Sequence, residues 1–222
     1  AGKDIVSPSR YPDIHTPTEL KDKIDWLRDA SNGRPIGVKL AAGHIENDLD
    51  FALQAGPDFI TIDGRPGGIG SAPKFIKMAT SIPTIYALSR ARKFLDRNHI
   101  GKISLIITGG LRISPDFAKA LAMGADAVSI STSALIAMGC QQYKICNTGR
   151  CPMGIATQDP ALRSRLDVDE AARRVANFLR VSTEELIQFA KLTGHHNVHD
   201  LSLKDLCTCN SEISNHTGIY HA

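Results

Sequence analysis

Three cysteines, Cys140, Cys146 and Cys151, form a C-x5-C-x4-C pattern inside a segment rich in glycine, proline and threonine. Thiolates are soft ligands, suited to zinc or to iron–sulfur clusters. Structural zinc sites use four ligands, often with C-x2-C pairs, and neither feature is present. Three thiolates on a wrapping loop better suit an iron–sulfur cluster with one corner not held by cysteine. Pro152 follows Cys151, as a proline follows the last cysteine of ferredoxin-type runs. Gly139, Gly149 and Gly154 give the chain freedom to curl around a compact inorganic body. The alternative is three buried structural thiols, because a free cysteine often serves as a small core residue. Cys207 and Cys209, near the C-terminus, read as structural.

Two glycine or hydroxyl turns lie where an anion would bind. Gly109-Gly110 follows the apolar run 103–107, and Ser131-Thr132-Ser133 follows the run 127–130 and opens an apolar helix. Glycines let backbone N–H groups approach a phosphate, and Ser and Thr hydroxyls add donors. Gly64-Arg65-Pro66-Gly67-Gly68-Ile69-Gly70 follows another apolar run and is too glycine-rich for a routine connection. It is expected at a catalytic face. Lys39 stands between Val38 and Leu40 in the first apolar run. A lysine among buried apolar residues needs a counter-charge; the alternative is a lysine on an exposed edge.

The elements that would position these groups are short. Four apolar runs, Ile36–Leu40, Phe59–Ile62, Ile103–Ile107 and Ala127–Ile130, alternate with helical patterns at Glu46–Gln54, Ser71–Ala79 with Tyr86–Arg97, and Pro115–Met123. Buried strands alternating with helices predict βα units and a parallel sheet with right-handed crossovers. A closed barrel needs eight strands, so four predict either an open sheet or half of a barrel. Thr16-Pro17-Thr18-Glu19 predicts a capped helix start, and Ser114-Pro115 repeats the cap-then-proline signature. Two further helices are expected near Val168–Phe178 and Thr183–Leu192, the second opened by a Ser182-x-x-Glu185 capping box. Beyond Gly194, where five of the eight histidines lie, short helices and loops are expected.

With 222 residues, 42% apolar and 22% charged, the chain can build a core, and a net charge of +3 is too small to argue for nucleic acid. No apolar run reaches the ~18–20 residues of a membrane span, and no signal-peptide pattern opens the sequence. A cytoplasmic location is expected.

Gly64–Pro73, Ile107–Arg112, and above all Ala134–Cys140 through Cys151-Pro-Met-Gly-Ile-Ala-Thr-Gln-Asp-Pro160 resemble the FMN-binding domain of glutamate synthases, its archaeal-type stand-alone form in particular. The resemblance runs from Ile5-Val-Ser-Pro8 to the last helices. It implies an α/β fold, the C-terminal half of a (β/α)8 barrel at residues 1–138. An iron–sulfur loop follows at 139–160, then a helical region at 161–222. It implies FMN with its phosphate on Gly109, Gly110, Ser131 and Thr132. Lys39 would lie near the flavin ring, able to stabilise negative charge on it, or near a substrate carboxylate. Lys39, Gly67 and Gly68 are the implied catalytic positions, and Cys140, Cys146 and Cys151 the ligands of a 3Fe-4S cluster. Ser131 and Arg65-Pro66 depart from residues the family often carries there.

The implied reaction is reductive amination of 2-oxoglutarate with ammonia to glutamate. Implied partners are a chain supplying the other half-barrel, a glutaminase subunit and an electron donor. Open sheet edges would require such a tight partner or self-association. Three alternatives stay open: a synthase making N-methylglutamate from methylamine, a non-catalytic iron–sulfur module for electron transfer or assembly, and a plain phosphate-binding barrel fragment.

Overall fold

A computed structural model describes residues 11–67 and 74–222. The chain divides into two compact units. One takes the described part of Ala1–Gly110 with Lys119–Ser129 and Leu201–Ala222, and the other takes Leu111–Ala118 with Ile130–Asp200.

The first unit opens with α1, Pro17–Ala30, entered through the expected capping box: Glu19 N–H donates to the Thr16 hydroxyl at 3.2 Å, and Thr16 N–H to the Glu19 carboxylate at 2.8 Å. There follow β1 (Gly37–Ala41), α2 (Ile45–Gln54), β2 (Phe59–Asp63), α3 (Lys74–Thr80), α4 (Thr84–Arg97), β3 (Ser104–Thr108), α5 (Ser114–Ala122), whose last turn belongs here, and β4 (Ala127–Val128). The part of the expected helix at 71–73 lies outside the described residues.

Among the described residues these four strands form one parallel sheet in the order β1-β2-β3-β4. Strands that neighbour one another in sequence order, joined by right-handed crossovers, put every crossover helix on one side. That is the arrangement of half a (β/α)8 barrel. In register, Lys39 lies beside Thr61, Ile62 beside Ile107, and Asp63 beside Thr108.

Alternation along the strands sorts the two faces. Ile60, Ile62, Leu105 and Ile107 are fully buried where α4, with Leu88, Ala91 and Leu95 buried, packs on β2 and β3; α2, with Leu49 and Ala52 buried, packs on α4. The opposite face carries Lys39, Ala41, Phe59, Thr61, Ser104, Ile106 and Thr108, all half-buried or exposed. Asp63 lies on that face too, yet is buried.

The C-terminal stretch returns to this unit through β5 (Cys207–Thr208), α9 (Ser211–Thr217) and β6 (Tyr220–His221), the two strands pairing in parallel. Helix α9 packs on α4. Ser89 Oγ donates to the Thr217 carbonyl at 3.3 Å, Lys93 Nζ to the His216 carbonyl at 3.1 Å, and the Tyr86 and His216 rings meet edge to face at 5.9 Å. Thr217 and Ile219 are buried, whereas Cys207 and Cys209 are exposed and free.

The second unit holds the first turns of α5, then α6 (Thr132–Ala137), α7 (Pro160–Arg163) and α8 (Val168–Leu192), with α6 packed on α8. Where the sequence predicts two helices, α8 is one helix of 25 residues. Asp167 caps it, its carboxylate accepting from Glu170 N–H at 3.0 Å. Ser182 is buried in mid-helix instead of capping a second start. No glycine or proline separates 168 from 192, so each added residue gains a helical hydrogen bond and nothing ends the run. Ser114 departs similarly. It is the first residue of α5, and its hydroxyl donates to the Glu185 carboxylate rather than capping its own helix. Among the described residues no helix is long and apolar enough to cross a membrane.

A glycine-lined strand-end site and a cysteine loop

Ligands of parallel α/β sheets bind beyond the C-terminal ends of the strands. In the first unit three such ends are knit together. Ala42 N–H donates to the Asp63 carbonyl at 2.9 Å, and Gly64 N–H to the Thr108 carbonyl at 2.9 Å. Arg65 N–H donates to the Ile82 carbonyl at 2.8 Å, and Ile82 N–H to the Ala42 carbonyl at 2.8 Å. The Thr84 hydroxyl, at the start of α4, donates to the Gly109 carbonyl at 2.6 Å.

The glycines here have local causes. A Cβ on Gly64 would collide with Thr84, and one on Gly110 would stand 2.7 Å from Pro66 Cβ. Gly67 N–H closes a turn on the Gly64 carbonyl at 2.9 Å. Gly109 (φ +115) and Gly110 (φ +81) both sit where L side chains are rare. Gly109 is buried, and among the described residues neither its N–H nor that of Gly110 has a hydrogen-bond acceptor. Orphaned N–H groups on a positive-φ turn are the donor set a phosphate takes, so the turn fits the FMN phosphate expected there. Gly68 lies outside the described residues.

Lys39 has the counter-charge its position demands. Its ammonium stands 2.8 Å from Asp63 Oδ2, the lysine side chain 61% exposed and the aspartate 6%. Both side chains point from the open face of the sheet, Asp63 one step along β2 from Thr61, the register partner of Lys39. Lys39 is thus exposed on the edge strand and ion-paired at once. The other carboxylate oxygen, Asp63 Oδ1, is buried and without a partner among the described residues. Sequence reasoning missed Asp63. Its signal was a carboxylate closing a buried strand just before a glycine, on the strand next to a lysine in need of an anion.

The cysteine loop belongs to the second unit. Ser131 caps α6 from outside without a side-chain hydrogen bond, and Thr132 is its first residue. Ser133 Oγ is buried and has no partner among the described residues. Beyond α6, Gly139 turns at φ +112, and Cys140 N–H closes on the Leu135 carbonyl at 2.9 Å. Gln142 (φ +57) and Lys144 (φ +59) bend the chain on to a 3-10 turn, Cys146–Thr148, ended by Gly149 at φ +68. Cys140 is half-buried, Cys146 exposed and Cys151 buried. The Cys151 thiol receives N–H groups of Ala156, Ile155, Met153 and Gly154, which favour the thiolate and hold its pKa below the usual thiol value.

No three His, Cys, Asp or Glu side chains among the described residues converge as ligands of a single ion, these cysteines included. In a cluster each iron takes its own thiolate, so the ligands stand farther apart than those of one ion. The donor set, three thiols on one loop, fits iron–sulfur chemistry.

The family model for the conserved region in glutamate synthase matches residues 1–196 of this chain. The chain belongs to the glutamate synthase family. The archaeal-type glutamate synthase [NADPH] of Thermotoga sp. is 41% identical over 188 residues, which make up 83% of this chain and 37% of that protein. The archaeal glutamate synthase [NADPH] of Archaeoglobus fulgidus is 42% identical over the same shares of both chains. The glutamate synthase large subunit-like protein of Rhizobium meliloti is 36% identical over 96% of this chain and 52% of its own length. This glutamate synthase family chain therefore spans between about a third and a half of these relatives. Among solved structures, a mutant flavocytochrome b2 with pyruvate bound matches 80% of this chain and 36% of its own, with a TM-score of 0.51 and 17% identity. That likeness is one of fold.

Proposed function

We propose that this chain is the FMN- and iron–sulfur-bearing part of a glutamate synthase that reductively aminates 2-oxoglutarate with ammonia. Family membership over residues 1–196 supports the reaction class. The single structural observation that carries the reading is the strand-end turn, where the buried Gly109 and its neighbour Gly110 present N–H groups without acceptors among the described residues.

Gly109 and Gly110 would hold the phosphate, with Ser131 and Thr132, at the start of the helix after β4, adding donors. Gly67 and Gly68 would be the catalytic positions of the loop after β2, Gly68 lying outside the described residues. Lys39 would hold a substrate carboxylate or the flavin ring by charge. Cys140, Cys146 and Cys151 would hold a 3Fe-4S cluster. When bound, FMN and the cluster supply the electrons and hydride that reduce the imine of 2-oxoglutarate and ammonia. The chain's own residues contribute positioning and charge.

The open face of the sheet calls for cover, since parallel sheets are buried on both faces. The remaining strands of the barrel would supply it, from elsewhere in a longer polypeptide or from a partner chain. A glutaminase and an electron donor complete the assembly.

The test is anaerobic purification of the assembled protein with iron, sulfide and flavin analysis, followed by product identification with ammonia and with methylamine. One FMN, three irons and glutamate from ammonia are expected. A folded protein without flavin, or N-methylglutamate as the preferred product, overturns the reading.

A further inference from the structure

Asp63 is a carboxylate with one oxygen ion-paired and, among the described residues, the other without a partner. Oδ2 is held by Lys39 at 2.8 Å, while Oδ1 is buried and without a partner among the described residues. A carboxylate removed from water is costly unless each oxygen is satisfied. Gly67 packs close to Oδ1: a Cβ there would collide with it, so only a glycine fits beside that oxygen. The carboxylate sits at the C-terminal end of β2, where ligands of such sheets bind. Beside it the Lys39 side chain is 61% exposed and has further N–H groups to offer.

A donor cation and an acceptor oxygen without a partner among the described residues, side by side, match a ligand carrying a carboxylate next to a nitrogen. Building on the glutamate synthase reading above, we propose that Asp63 is the amine subsite. Oδ2 fixes the Lys39 ammonium, which takes the ligand carboxylate, and Oδ1 accepts an N–H hydrogen bond from the nitrogen being added to the 2-oxo acid. The flavin ring also carries an N–H group, and the experiment distinguishes the two sources.

Asp63→Asn and Asp63→Ala are compared with wild type in the assembled holoenzyme, by KM for ammonia, KM for 2-oxoglutarate, FMN affinity, and calorimetric binding of glutamate to the oxidised protein. In Asp63→Asn the amide oxygen stays on Lys39, so its NH2 must face the ligand nitrogen and an acceptor becomes a donor. The KM for ammonia is expected to rise at least tenfold and glutamate binding to weaken at least tenfold. KM for 2-oxoglutarate should stay within about threefold and FMN affinity within about twofold. Asp63→Ala, which also frees Lys39, should raise both KM values.

An unchanged KM for ammonia and unchanged glutamate binding in both variants overturn the assignment. A loss confined to FMN affinity overturns it as well, by placing the flavin N–H on Oδ1. If wild type itself forms no glutamate from ammonia, the glutamate synthase reading fails. If wild type is active and the variants match it, only the role of Asp63 fails.

Discussion

Gly64 and Gly109, at the ends of neighbouring strands, pack backbone against backbone: a Cβ on Gly109 would stand 2.8–2.9 Å from the N, Cα and O atoms of Gly64. Backbone cannot swing aside as a side-chain tip can. Gly109 also holds φ at +115. Gly109→Ala thus combines a positive-φ penalty with overpacking and should lower stability by about 2–4 kcal/mol. Gly33, also at positive φ but with open space around it, provides the control, and Gly33→Ala should cost only about 1 kcal/mol. Denaturant melts of the two variants make the comparison, and equal losses would show that the strand ends do not press together as described.

Helix α8 offers a direct contrast between two hydroxyl- or carboxylate-bearing positions. Asp167 caps the helix and Ser182 is in its middle. Asp167→Ala should therefore cost about 1 kcal/mol, and Ser182→Ala less than about 0.5 kcal/mol, alanine being the better helix former. The reverse ranking in thermal melts would mean that a second helix starts at Ser182 after all.

Acid should weaken the fold through specific carboxylates. Arg90 holds Glu46 below its usual value of 4.5, and the Ile36 N–H with Arg28 holds Asp58 below 3.8. Arg173 and Arg174 do the same for Glu170, and the N–H groups of His15 and Thr16 for Glu19. A carboxyl whose folded pKa is depressed binds its proton more readily when unfolded. Its contribution is complete above the unfolded value and is lost as pH falls through the folded one. Asp48, raised by burial, acts with the opposite sign. With Asp25, held below its usual value by Lys21, five groups against one predict a falling melting temperature below about pH 4.5, and Glu46→Gln should flatten that fall. A melting temperature that stays level from pH 6 to pH 3 contradicts the prediction.

The returning C-terminal segment should be integral to the first unit. Thr217 is completely buried, and its hydroxyl donates to the Ile213 carbonyl while accepting from Ile219 N–H at 3.3 Å. Thr217→Ala should cost about 1–2 kcal/mol by stranding those groups. Ending the chain after Asp200 should cost more, because it uncovers α4. Hydrogen exchange of α4 amides reads this directly. Unchanged protection in the shortened chain would show that α9 contributes no cover.

Much of this was legible because it is local. The Thr16–Glu19 capping box depends on four consecutive residues, and it forms. The four strands depend on short apolar runs between turns, and their edges move by only one or two residues between pattern and structure. The two-helix reading of 168–192 failed because a start signal cannot act inside a run that nothing stops.

Taken alone, the sequence determined the alternation of strand and helix, the glycine turns, the thiol spacing and the family, since each is written in residue types and short separations. Only the tertiary structure decided which face of the sheet is sealed, that Lys39 is both exposed and paired, and that Asp63 faces Gly67 with one oxygen unpartnered among the described residues. Those depend on register between strands some twenty residues apart. Parallel register is set by packing over the whole crossover, and no local pattern encodes it.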